Sequence, residues 1–421
     1  MHIPKTIKQA RGLLIITLLP LFLIVCSSTD DDVIPKDPES PVKESGLKEI
    51  NQLISSASSG DVVLVESGTY LIDGKIAFKQ GVSLKAKDPD NKPVFNSKNE
   101  DTGKLAGSGL NIMEYTTELS DVTIDGVEFH NIGLTIKGNN LNAENIVVKN
   151  CVFDYGERIA GTDKKNYADK YLNFVSVENV LVENCDFLRR NGVNGSGRGV
   201  QTSYTKNATI RNNRFGGENP EVTGFFVSAI NDRGTNSLID GNIINRCFGL
   251  TDLAHIDHGI YAVDFNGLVI SNNTITGWPR NGAGGSIKAR NGQNLVIEDN
   301  IFNTSGIIMY TYESDKIQQH FKDVIIRRNI INMEGEADYK NNVLHNGIGY
   351  YTDFTSVDGN EESIRIESNT INNGYVHLIN PRINTDKFNM NGGGVYNNKA
   401  EAYLLKKGIS HSGNTGEVKY E

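Results

Sequence analysis

The chain has little of what usually staples or interrupts a fold. Four cysteines in 421 residues do not make a disulfide framework, and no CxxC pair or cysteine–histidine cluster has zinc-ligand spacing. Ten prolines beside 43 glycines, with 38% hydrophobic residues, exclude a disordered, proline-rich polymer. Basic residues are in deficit, 42 against 51 acidic, for a formal net charge of -9. No excess exists to neutralise phosphates, so nucleic acid is excluded as a general partner. A polyanionic sugar is not excluded, because it needs only a locally positive cleft. There is one tryptophan among 16 tyrosines and 16 phenylalanines, and tyrosines are common where flat sugar faces are held. Long apolar runs are scarce too. A chain of this length can hold one large solenoid or two to three ordinary domains.

The one notable apolar run, Leu13 to Val25, follows Lys5, Lys8 and Arg11 and ends at Cys26. A basic start, a short apolar stretch and an abrupt polar change describe an export signal, shorter than a membrane span needs. Leu23-Ile24-Val25-Cys26 resembles a bacterial lipobox, which implies lipidation of Cys26 after cleavage. A plain signal or anchor with an incidental cysteine is the alternative. The tract Thr29-Asp30-Asp31-Asp32 resembles the surface-export signal of Bacteroidetes lipoproteins, which implies the outer face of the outer membrane. The expected organisation is a signal over 1–26, a polar tether over 27–45 carrying Pro35, Pro38 and Pro41, and one folded domain over 46–421.

Nine segments of that domain share a pattern: a polar residue, strand formers, a turn, then Phe or Ile. They begin at Asp121, Asn145, Asn179, Asn207, Asn236, Gly267, Asn294, Asp323 and Ser363, spaced by 24, 34, 28, 29, 31, 27, 29 and 40 residues. Self-similarity at this period means a solenoid. Alternation is period two with β-branched residues, and no i, i+3, i+4 stripe occurs, so the coils are strands. The expected architecture is a single all-β domain, a right-handed parallel β-helix of pectate-lyase-like form. At the seventh position stand Asn213, Asn242, Asn273, Asn300, Asn329 and Asn369. Stacked about 4.8 Å apart, their amides can form a hydrogen-bonded ladder. Cys151 and Cys185 share that position, as a free buried pair or, alternatively, a disulfide. An amphipathic helix over Gly46–Ala57, with Leu47, Ile50, Leu53 and Ile54 on one face, would cap the first coil. Residues 398–421 are expected to cap the other end.

A solenoid turns sequence offset into spatial neighbourhood. Gly259–Asp264 aligns with Ser286–Asn291, which puts Ile260 over Ile287 and Ala262 over Ala289, pointing inward. Tyr261 then falls beside Lys288 and Val263 beside Arg290, pointing outward. Counting one coil back adds Gln201, and one coil on adds Tyr310 and Tyr312. Loops nearby supply Arg198, Asp232, Arg233, His255, Asp257 and His258. The strip is rich in donors, in an acidic chain.

Such a strip suits elimination on a uronic-acid polymer. The substrate carboxylate must be neutralised, a base must take the C5 proton, and an acid must protonate the departing O4 oxygen. Lys288 beside Arg290 and Tyr261 has that logic, because the like charge of Arg290 pushes the amine toward its neutral form. Ser286-Ile287-Lys288-Ala289 with Asn294–Phe302 resembles the strand bearing the catalytic lysine in β-helix alginate lyases and chondroitinase B. Those enzymes follow it one coil later with an Arg-His pair. Gly306–Tyr312 has tyrosines there, which resembles the alginate lyases that use a Lys/Tyr pair. The resemblance implies Lys288, Tyr261 and His258 as catalytic residues, with Asp257 orienting His258 where His258 is the base. The outward strip and the loops beside it supply Arg290, Gln201, Arg233, Asp257, Tyr310 and Tyr312 as candidate substrate contacts. No cofactor is required by these motifs; calcium is the ion the resemblance admits, with no ligands assignable. Three alternatives share the fold. A hydrolase would need two carboxylates, from Asp232, Asp257 and Asp264. A C5-epimerase would carry an Asp-Pro-His type motif, and Asp257-His258 lacks the proline. The third is a glycan-binding surface protein without catalysis.

Overall fold

The computed structural model describes residues 46–99, 104–105, 111–115, 119–140, 142–155, 170–190, 198–216, 228–246, 258–278, 285–311, 321–334, 346–352, 363–379 and 408–420. All lie in one compact unit, Ser40–Glu421. The expected signal, Cys26 and the tether lie outside the described residues, as do His255, Asp257 and Tyr312. No helix among the described residues is long and apolar enough to cross a membrane.

The repeats turn because the first residue, from Asp121 to Asp323 though not Ser363, and the sixth adopt left-handed backbone. Asn145 and Asn150 do so with φ of 58° and 54°, Asn207 and Asn212 with 57° and 54°. Asn and Asp tolerate that region and Gly is free in it, which explains the polar or glycine residue at both positions. Between the turns alternate residues point inward. Val122, Ile124, Val127 and Phe129 of one repeat are wholly buried, and the corresponding residues of later repeats stack on them. Pairing is parallel and in step from coil to coil: Val122 faces Ile146, which faces Val180, which faces Ala208. Together with the neighbours reported below, this makes the chain a parallel β-helix whose core is a set of vertical columns.

Two columns carry much of the stability. Phe95, Phe129, Phe153, Phe187 and Phe215 are completely buried, with successive ring centroids 5.7, 5.1, 5.0 and 4.5 Å apart. Burying each ring contributes roughly 1.5–3 kcal/mol, with stacking in addition. The asparagine column is continuous. Asn213, Asn242, Asn273, Asn300 and Asn329 each donate Nδ2 to the next Oδ1 at 2.9–3.0 Å, and Asn369 receives the last of these bonds. Each Oδ1 from Asn242 onward also accepts the backbone N–H of the preceding asparagine. Every amide is thereby satisfied in a place where an unpaired one would be costly. Cys151 and Cys185 are free thiols that continue the column toward the N-terminus. Their sulfurs lie 3.6 Å from the Ile124 and Val148 carbonyls, the counterparts of the Val182 carbonyl that Asn213 Nδ2 reaches. Burial, then the neighbouring Cys151, pushes the Cys185 thiol well up.

The N-terminal helix caps the first coil as expected but for Leu53, and the C-terminal end departs from expectation. Helix α1, Gly46–Ser56, lies against the strands Val62–Val65 and Thr69–Leu71 with Ile50 and Ile54 buried, but Leu53 is turned outward. Residues 408–420 do not form a separate cap: they make a further coil. Ile409–Ser412 pairs in parallel with Ile364–Glu367, Gly408 and Gly413 take the two left-handed positions, and Asn414 accepts from Asn369 at 2.8 Å. This repeat escapes notice in the sequence because His411 replaces a β-branched residue and Gly416 replaces the terminal Phe or Ile.

Candidate functional site

Six strands build one outward face: β1 (Arg198–Arg211), β2 (Ser228–Asp240), β3 (His258–Ser271), β4 (Gly285–Glu298), β5 (Ile307–Thr311) and β6 (Asn346–Thr352). Strands β1, β3 and β4 run through a corner where Tyr204, Asp264 and Asn291 are left-handed, so each serves two faces. In β3 and β4, Ile260 pairs with Ile287 and Ala262 with Ala289, all fully buried. The intervening Tyr261 pairs with Lys288 and Val263 with Arg290. This is the register read from the sequence.

The rest of the column differs from that reading in one step. Between Gln201 and Tyr261 stands Asn231, so Gln201 lies two coils from Tyr261, not one. The counting failed because β2 runs from its outward residue to the repeat start in five residues, Asn231 to Asn236, where β1, β3 and β4 take six. The pairing of β2 with β3 shifts at this point. Asn231, which the sequence reading passed over, is mostly buried at the face. Beyond Lys288 the column continues through Ile308 and Gly349. Tyr310 pairs with Arg290, not with Lys288.

Lys288 is the most perturbed amine described. Burial, then the charge of Arg290, lowers its pKa to about 8. Arg290, two positions on, is half-buried, and the buried His258 ring lies 5.3 Å from that of Tyr261, tilted by 38°. Glycine is required next to it. A Cβ on Gly259 would come within 2.6 Å of the Ser286 carbonyl oxygen and 2.8 Å of Ile275.

Other expected contacts are already engaged. Gln201 Oε1 accepts from Arg198 Nη1 at 2.7 Å, and its Nε2 donates to Ser203 Oγ at 2.9 Å. Arg233 donates from Nη2 and Nε to Asp264 Oδ2, at 2.6 and 3.1 Å, and lies over the Tyr204 ring. Asp232, expected at the groove, is turned into the interior and fully buried. Its Oδ1 accepts from Thr202 at 2.5 Å and Ser237 at 3.0 Å, and burial raises its pKa despite those bonds. A carboxyl sealed inside and another tied to arginine do not form the exposed pair that a hydrolase needs. Among the described residues, no group of three or more His, Cys, Asp or Glu could hold a metal ion.

No family model matches the sequence, and no curated protein matches it. Solved structures do match in shape. The alginate lyase AlyF-OU02, solved with G6, shares 14% identity over 91% of this chain and 84% of its own, with a TM-score of 0.54. The Streptococcus pneumoniae surface adhesin PfbA shares 15% over 89% and 90%, at 0.53. An α-1,3-glucanase from Streptomyces thermodiastaticus shares 12% over 91% and 68%, at 0.50. At such identities the likeness shows the fold, a right-handed parallel β-helix used by lyase, adhesin and glucanase alike.

Proposed function

We propose that this chain is a polysaccharide lyase that cleaves a uronic-acid glycan, alginate being favoured, by β-elimination. The observation that carries the reading is Lys288. Its amine is half-buried on an outward face, paired with Tyr261, and held to about 8 by burial and Arg290. Arg290 neutralises the substrate carboxylate, which makes the C5 proton acidic. Neutral Lys288 takes that proton; the released electron pair forms the C4–C5 double bond while the C4–O4 bond breaks. Tyr261 gives its phenolic proton to O4, with His258 packed against its ring to fix its direction. Fold neighbours that include an alginate lyase support the class of partner, an acidic polysaccharide.

The test is a panel of alginate, pectate, hyaluronan and chondroitin sulfate, followed by ultraviolet absorbance of the unsaturated uronate. Absorbance that rises with new chain ends supports elimination. New reducing ends without it mean hydrolysis, and a changed uronate ratio in intact chains means epimerisation; either result overturns the proposal. The reading extends to an outer-membrane address through a lipidated Cys26, supported by Leu23–Cys26 and Asp30–Asp32. Labelled fatty acid should enter the parent and not Cys26→Ala.

A further inference from the structure

Tyr204 breaks a rule that its own corner obeys. In the columns beside the face, the left-handed corner residues are Ser176, Tyr204, Asp264 and Asn291, with φ of 53°, 55°, 51° and 45°. Serine, aspartate and asparagine are small and polar, and the last two tolerate that conformation; a bulky ring does not, at a cost of roughly 1–2 kcal/mol. Nothing in the core offsets the cost, because Tyr204 is 57% exposed, the one aromatic among the exposed large hydrophobic residues described. Its ring is nevertheless held. The Arg233 guanidinium carbon lies 4.5 Å from the ring centroid, and Arg233 is fixed in turn by two hydrogen bonds to Asp264. One face of the ring is backed by a clamped cation, and more than half of the residue is open to solvent.

We infer that Tyr204, backed by Arg233 and Asp264, is a remote sugar-binding platform that stacks against the C–H face of a pyranose ring in the glycan bound along the outward face. Because Asp264 already takes the charge of Arg233, the platform reads the apolar face of the sugar and not its carboxylate. Strand β1 lies three coils from β4, which places the platform about 14 Å along the axis from Lys288 at ~4.8 Å per coil. A pyranose in an extended chain advances by about one coil, so the platform contacts a sugar some three residues from the scissile bond. The inference rests on the proposed glycan-cleaving function for its ligand, and its consequence is a dependence on substrate length.

The test uses two variants of the full chain. Tyr204→Asn removes the ring and relieves the backbone, so the variant folds at least as stably as the parent; Tyr204→Phe keeps the stacking surface. With the polymer cleaved best, Tyr204→Asn should raise KM about three- to tenfold, as expected for a lost ring contact, with kcat unchanged. For a trisaccharide too short to span the distance, KM should not move, and Tyr204→Phe should match the parent on both. Equal KM values for parent and Tyr204→Asn on polymer, or equal losses on polymer and trisaccharide, would overturn it. Retardation in gels cast with each glycan reads the platform without turnover. Retardation lost in Tyr204→Asn supports the platform even if elimination fails. Unchanged retardation, or none by the parent in any gel, overturns it.

Discussion

The asparagine column from Asn213 to Asn414 and the outward column from Asn173 to Gly349 share all but their end coils, at the same spacing, yet they are built on opposite terms. In the first, one side chain repeats, and each amide is satisfied by its copies above and below. In the second, Asn173, Gln201, Asn231, Tyr261, Lys288, Ile308 and Gly349 follow one another with no two neighbours alike. Stacking explains the uniform column completely. It explains nothing about why an amine stands between a phenol and an isoleucine, and that is the reason to look for chemistry there.

The comparison can be broken most sharply at Lys288. Lys288→Ala should lower formation of unsaturated product by ~10²–10⁴-fold, the usual worth of a general base, and leave the urea midpoint almost unchanged. Loss of folding together with activity would make the outward column structural after all. The converse substitution, Asn300→Ala, should cost about 1–3 kcal/mol in urea unfolding, because it removes the acceptor of the Asn273 backbone N–H and the Nδ2 donor to the Ile270, Glu298 and Asn329 oxygens, while KM stays as it was.

A smaller effect concerns pH. Lys288 must be neutral to accept a proton, so kcat/KM should rise with pH through an apparent value near 8. Arg290→Gln removes the second cause of the lowered pKa while burial remains. The rising limb should therefore move to higher pH but stay below 10.5, besides the loss of rate from an unneutralised carboxylate. A limb that does not move would show that the two groups do not communicate.

The smallest expected change lies beneath the face, at Asp232. Its folded pKa is raised above 3.8 by burial, so the proton is held more tightly in the folded state. The stability this provides is present below 3.8 and is lost as pH rises through the folded value. Asp232→Asn cannot ionise and keeps an acceptor for Thr202. It should melt at a higher temperature than the parent at neutral pH, with the difference closing toward acid.

How much of this was legible beforehand follows from the same contrast. The nonapeptide repeats expose the fold because left-handed turns favour Asn, Asp or Gly at fixed positions, Arg328 and Ser368 being the exceptions, and the buried columns favour Val, Ile or Phe between them. The pairing of Tyr261 with Lys288 was legible because β3 and β4 have the same length between face and corner. Asn231 was not, since β2 is one residue shorter there, and a single missing residue hides a coil from counting. The last coil was hidden by composition, through His411 and Gly416. The inward turn of Asp232 could not be read either, because a carboxylate in a strand looks like a surface residue until its parity is known. Tyr204 left one signal, a bulky residue where other coils place a small polar one.

The nine repeats are spaced anywhere from 24 to 40 residues, yet their buried columns keep step, with Ile239 pairing Ile210 and Ile270 even past the shift in β2. The pairing does not depend on the length of the repeat, so the scaffold behaves like shelving with fixed rungs and interchangeable contents. A loop exchanged between two corners should alter which polymer is admitted without disturbing the distance from one rung to the next.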